Sequence, residues 1–158
     1  MTSSLDEAGH VPVLLQEVLS GLMPRPGGHF IDGTAGAGGH TMALLEASAP
    51  NGQVLALDAD PQAVQHVQQR LRGCGDRVHV VNTNFSEMIT VARQRDFVPV
   101  DGILLDLGFS SVQLSSPGRG FSFSTEDCLD MRYDPAQSTT ASHLINNLSQ
   151  FDLADLLY

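Results

Sequence analysis

Apolar and polar positions follow two different rhythms along this chain, and their alternation predicts its architecture. Four short apolar runs read as strands: His29-Phe-Ile-Asp, Gln53-Val-Leu-Ala-Leu-Asp, Arg77-Val-His-Val-Val-Asn and Val100-Asp-Gly-Ile-Leu-Leu-Asp-Leu. Helical spacing governs the stretches after the first three, about His40–Ala47, Pro61–Arg72 and Ser86–Asp96. A further helix is expected ahead of them, from His10 to Leu22. Its apolar positions are Leu14, Leu15, Val18, Leu19 and Leu22, and Pro12 lies in its first turn. Strands that alternate with helices in this way imply an open parallel α/β sheet.

The pattern changes at Ser110. Ser115-Ser-Pro-Gly-Arg-Gly reads as a loop, and Phe121 to Pro135 has no period. Two helices are expected at about Thr140–Leu148 and Gln150–Tyr158, with Ser149 and Asp152 in the arrangement of a capping box. The last helix carries an apolar face, Leu153, Leu156 and Leu157, and reaches Tyr158 without a glycine cap, so it reads as cut rather than finished.

Composition narrows the classes. A chain of 158 residues that is 42% hydrophobic can bury the core of one ordinary domain. No apolar run approaches the ~20 residues of a membrane span, and the acidic N-terminus is unlike a secretory or transit signal. Cys74 and Cys128 belong to no paired motif, so a reducing cytosol is the expected setting, without zinc or another bound metal. The net charge is −10 and all eight cations are arginines. Any nucleic-acid phosphate must therefore be met by a local patch or by residues outside this chain.

The chemistry concentrates at the strand ends. Asp32-Gly-Thr-Ala-Gly-Ala-Gly-Gly-His40 follows a strand and opens a helix; glycines at 33, 36, 38 and 39 let a ligand approach the backbone and the helix N-terminus. Asp58 ends the next strand, where a carboxylate can accept both hydroxyls of a ribose. Together these indicate an adenosine-containing cofactor, without saying which. Asp32 either faces the cation and amino-acid tail of S-adenosylmethionine or caps its own turn. Phe85 either stacks on adenine or packs in the core. Asp106 either holds a substrate amine or caps the loop after the fourth strand. An NAD-dependent oxidoreductase would use the glycines and Asp58, but it leaves Asp106-Leu-Gly-Phe-Ser-Ser and Arg119-Gly-Phe-Ser-Phe without a role.

Five blocks in order resemble the RsmH (MraW) family of small-subunit ribosomal RNA cytidine N4-methyltransferases. They are His10-Val-Pro-Val-Leu-Leu-Gln-Glu, the glycine block, Ala56-Leu-Asp-Ala-Asp-Pro-Gln-Ala, Asp101-Gly-Ile-Leu-Leu-Asp-Leu-Gly-Phe-Ser-Ser, and Arg119-Gly-Phe-Ser-Phe with Leu129-Asp-Met-Arg-Tyr-Asp. The resemblance implies a Rossmann-like class I methyltransferase sheet, incomplete on its C-terminal side, followed by the start of a helical substrate-recognition insert. On that reading residues 1–112 belong to the S-adenosylmethionine domain and 113–158 to the insert. Gly36, Gly38, Gly39 and His40 then line the methionine end of the cofactor, with Asp32 beside them. Asp58 holds the ribose, Phe85 flanks the adenine, and Asp106 and Gln113 close the cofactor side, Asp106 also serving catalysis.

The implied substrate is a cytidine of small-subunit rRNA and the implied partner is that RNA or the small ribosomal subunit. His40 can alternatively be a helix-start residue, and Arg119 and Arg132 are either phosphate contacts or structural ion pairs. His10 is expected either to cap the first helix or to serve in the active site. Family members run to about twice this length. The chain alone is therefore expected to leave Ile103-Leu-Leu as an exposed apolar edge and to be poorly stable or inactive. The alternative is a cofactor-binding fragment without catalysis.

Overall fold

A computed structural model describes residues 12–110, 113–114, 116–124 and 126–158. The chain divides into two compact units, residues 1–107 and 108–158.

The first unit is a four-stranded, wholly parallel sheet. Its strands are β1 (His29–Asp32), β2 (Gln53–Asp58), β3 (Val78–Asn82) and β4 (Gly102–Leu104), in the order β3-β2-β1-β4. Helices α1 (Leu15–Leu22), α2 (Gly39–Ala47), α3 (Pro61–Arg70) and α4 (Met88–Gln94) flank it. The α/β alternation read from the sequence is thus the observed fold. Parallel strands covered on both faces need apolar residues at successive positions, which is why β2 reads as a continuous apolar run. Val54 and Ala56 enter one core with Phe30, Leu44, Leu45, Val67 and Leu71. Leu55 and Leu57 enter the other with Ile31, Ala92 and Phe97. Each fully buried leucine contributes about 1.5–3 kcal/mol relative to exposure.

Local chemistry sets the helix limits. Asp60 caps α3 by accepting the Gln62 N–H at 2.9 Å, with Pro61 in the first turn. At the far end of α2, Ser48 Oγ donates to the Leu44 carbonyl at 2.6 Å. The Arg77 guanidinium, arriving from ahead of β3, donates to the carbonyls of Leu45 and Gly52.

Three elements differ from the sequence expectation. α1 starts at Leu15 because Leu14 takes a left-handed φ of 54°, which breaks the helical path two residues after Pro12; His10 lies outside the described residues. The stretch expected as one helix from Ser86 to Asp96 is a 3-10 turn (Phe85–Glu87) leading into α4, which ends before the left-handed Asp96. β4 stops at Leu104 instead of running on to Leu107, because the backbone then turns to bond Thr34. Among the described residues β4 pairs only with β1, and Ile103 is 45% exposed.

In the second unit, α5 (Ala141–Asn147) is capped by Thr140 and α6 (Gln150–Leu157) by Ser149. Asp152 donates its N–H to Ser149 Oγ at 3.1 Å, and its carboxylate accepts the same hydroxyl at 2.6 Å. Arg132 grips Asp130 with two bonds of 2.8 and 2.6 Å, and Arg119 donates to the carbonyls of Arg132 and Tyr133. Both arginines therefore build the loop between Phe121 and Pro135, with Phe121 packed beside Tyr133. Among the described residues no helix is long and apolar enough to cross a membrane.

Candidate cofactor and active site

In an open parallel sheet the carboxyl ends of the strands form the natural ligand crevice. In the first unit, β1, β2 and β4 bring three aspartates there. Asp32, the last residue of β1, is 0% exposed. Its Oδ1 accepts the Thr34 N–H at 3.1 Å and its Oδ2 accepts the Thr41 hydroxyl at 2.7 Å. Burial raises its pKa, against the two hydrogen bonds that favour the charged form. This carboxylate is committed to shaping the loop between β1 and α2.

That loop is pinned from the neighbouring strand. Gly36 N–H donates to Asp58 Oδ2 at 2.8 Å, while Asp58 Oδ1 accepts the Asp60 N–H at 2.8 Å. Each oxygen keeps a second lone pair able to accept a ribose hydroxyl. Burial also raises the Asp58 pKa, opposed by the two backbone donors. Asn82 holds the backbone beneath it, donating to the carbonyls of Asp58 at 2.9 Å and Ala59 at 3.1 Å. Gly38 caps α2 at φ 80°, a conformation that suits glycine, and among the described residues no side-chain hydrogen bond caps the helix. The first N–H groups of α2 are thereby left for an anionic ligand group. Gly39 follows as the first residue of α2.

Phe85 opens the 3-10 turn after β3, is half-buried, and belongs to neither core cluster. Asp106 donates its backbone N–H to Thr34 Oγ1 at 2.7 Å, while its side chain stays 55% exposed. His40 is only 7% exposed, and neither ring nitrogen has a hydrogen-bond partner among the described residues. Its Nε2 lies 3.6 Å from Asp106 Oδ2, beyond hydrogen-bond length. The first unit thus gathers Asp32, Gly36, Gly38, Gly39, His40, Asp58, Phe85 and Asp106 at the ends of the strands. Gln113 belongs to the second unit, where it is buried and exchanges two hydrogen bonds with Ser110, at 2.9 and 3.2 Å.

Sequence reasoning passed over four residues that shape this region. Thr34 and Thr41 tie down Asp32, Asn82 supports Asp58, and Arg70 bonds the Ala37 carbonyl at 2.6 Å. Only Thr34 had a local signal, two residues after an aspartate in turn-forming sequence.

The electrostatics discriminate between cofactor classes. Three carboxylates around one glycine loop favour a cationic ligand and oppose a pyrophosphate. The uncapped start of α2 accepts a carboxylate, Asp58 a diol, and the orphaned His40 imidazole a further polar group. These groups fit the sulfonium, amino-acid tail and ribose of S-adenosylmethionine.

The chain is 46% identical over 152 residues to a protein of Dehalococcoides mccartyi named ribosomal RNA small subunit methyltransferase H, covering 96% of this chain and 44% of the relative. It is 49% identical over 149 residues to the protein of that name from Thermomicrobium roseum, covering 94% of this chain and 46% of the relative. The chain thus spans about half the length of the curated relatives it matches. Among solved structures, a SAM-dependent methyltransferase from Aquifex aeolicus aligns with a TM-score of 0.40 at 22% identity, covering 44% of this chain and 38% of that one. The profile of the MraW methylase family matches residues 7–158, and the chain belongs to that family.

Proposed function

We propose that this chain forms the cofactor-binding part of an S-adenosylmethionine-dependent methyltransferase that modifies the N4 amine of a cytidine in small-subunit ribosomal RNA. The observation that carries the reading is the convergence of the glycine loop, Asp58 and the His40–Asp106 pair at one end of a parallel sheet. Relatives named as small-subunit rRNA methyltransferases support the choice of substrate. A cytoplasmic setting, where ribosomes are made, follows from it.

When bound, S-adenosylmethionine supplies a methyl group on a sulfonium, already activated for transfer. The chain's own residues then bind and orient. Asp58 accepts the ribose hydroxyls, Phe85 lies against the adenine, and Gly38, Gly39 and His40 receive the amino-acid tail. Asp32 acts through the loop that it shapes. Asp106 accepts a hydrogen bond from the cytidine amine, so that the nitrogen lone pair is presented to the methyl carbon. As the C–N bond forms, the methyl–sulfur bond would break with its electron pair going to sulfur, and the surplus amine proton leaves through the same carboxylate, which is open to solvent. Orientation of the amine against an already activated methyl group accounts for most of the rate such a site has to supply.

The test is methyl transfer to small-subunit RNA by the protein that carries this sequence, with nucleosides identified by mass spectrometry. N4-methylcytidine is expected, with a rate loss of about 100-fold or more in Asp106→Asn. Methylation of a ring carbon or of another base, or an unimpaired Asp106→Asn, would contradict the proposal.

A further inference from the structure

We propose that Arg70 is a positioning residue for the cofactor loop, acting on the ligand through the backbone of Ala37. Arg70 ends α3, 33 residues from Ala37, and its Nη1 donates to the Ala37 carbonyl at 2.6 Å. Ala37 sits between Gly36 and Gly38, whose φ values are 51° and 80°. A peptide plane beside such glycines turns over easily, because no Cβ resists the change.

Here the peptide joining Ala37 and Gly38 is held at both ends. Its N–H, on Gly38, donates to the Ala35 carbonyl at 2.7 Å, and its C=O accepts from Arg70. The Gly38 carbonyl then accepts the Met42 N–H at 2.9 Å and begins α2. A turned-over peptide would break the Arg70 and Ala35 bonds and swing the Ala37 oxygen away from α3. It would also change the backbone of the glycine that caps α2, the helix whose first N–H groups are open to a ligand. Helix α3 backs this geometry: an added Cβ on Gly38 would lie 3.4 Å from Val67 and 3.7 Å from the Arg70 side chain. The guanidinium forms a charge-assisted bond, stronger than any neutral donor at that place.

The inference rests on the proposed cofactor reading, and its test separates the two. Amide hydrogen exchange on the ligand-free chain reports the clamp itself, and calorimetry with S-adenosylhomocysteine reports its consequence. In Arg70→Met, exchange at Gly36–His40 is expected to rise about tenfold while amides of β2 keep their protection, and the ligand Kd is expected to weaken about tenfold. Arg70→Lys, which keeps a charged donor on a shorter reach, is expected to fall between Arg70→Met and the parent. Unchanged loop exchange in Arg70→Met would overturn the proposal. So would faster exchange spread evenly over the sheet, which marks a merely structural role. A loop that responds to Arg70→Met in a parent chain that binds no S-adenosylhomocysteine would overturn the cofactor reading and the functional half of the proposal with it.

Discussion

Replacing Thr41 by Val tests how the buried Asp32 carboxylate is held. The two side chains have nearly the same shape, and Thr41 is 0% exposed, so packing is retained while one donor disappears. That donor is the hydroxyl 2.7 Å from Asp32 Oδ2, leaving the Thr34 N–H as the other bond to the carboxylate. A hydrogen bond to a charged group is worth about 1.5–3 kcal/mol and a neutral one about 0.5–1.5 kcal/mol. Thr41→Val is therefore expected to destabilise the chain by about 2 kcal/mol while Asp32 is ionised, and by about 1 kcal/mol once it is protonated.

The sign of the pH dependence follows from the direction of the shift. Burial raises Asp32 above its ordinary 3.8 in the folded state, so the folded chain takes up this proton at higher pH than the unfolded chain. Above the folded value the ionised, desolvated carboxylate lowers stability. That loss is relieved as pH falls through the folded value toward 3.8. Removing the hydroxyl raises Asp32 further, so the relief begins at higher pH in the variant. Urea unfolding of parent and Thr41→Val across this window measures the effect, and an Asp32→Asn background isolates the coupling. A cost below about 0.5 kcal/mol near neutral pH would refute the reasoning. A cost independent of both pH and the residue at 32 would refute it as well.

Two further outcomes follow from the geometry. In Gly39→Ala the new Cβ would lie 2.4 Å from Pro12 Cγ and 3.2 Å from its Cδ, so the residues leading into α1 must move. The chain should lose about 1–3 kcal/mol in chemical denaturation despite alanine's better helix propensity, and a stabilised variant would contradict the packing. In Arg132→Ala the Asp130 carboxyl, held at about 2 first by the Arg132 side chain, should titrate higher, still below 3.8 because the backbone N–H of residue 132 goes on donating to it. The stability it contributes in the parent is present above 3.8 and lost as pH falls through about 2. Carboxyl-carbon NMR of Asp130 checks this, and an unchanged midpoint would count against the ion pair.

Where the sequence was legible, one local rule dominated. The apolar runs of β1 and β2 announced buried parallel strands, and helical spacing from Pro61 announced α3. The glycine block and Asp58 could be placed because their spacing is set by the turn after a strand. Illegible features depend on partners distant in sequence. Nothing around Arg70 points to Ala37, and nothing near Asp32 says that Thr41 rather than solvent will face its carboxylate. The early end of β4 has the same origin, since the Asp106 N–H leaves the ladder direction for a hydroxyl 72 residues away. A left-handed Leu14 has no sequence signal, because leucine is a good helix former and periodicity carried the expected helix straight through it.

The central claim is that the ends of β1, β2 and β4 hold S-adenosylmethionine, and calorimetric titration tests it most directly. The chain is titrated with S-adenosylmethionine and S-adenosylhomocysteine, with NADH as control, beside an Asp58→Ala variant checked for folding by circular dichroism. The account predicts saturable binding of the two adenosyl ligands, none of NADH, and at least a tenfold loss in Asp58→Ala, which removes the ribose acceptor and the partner of Gly36. Binding of NADH instead, or adenosyl-ligand binding indifferent to Asp58, would contradict it.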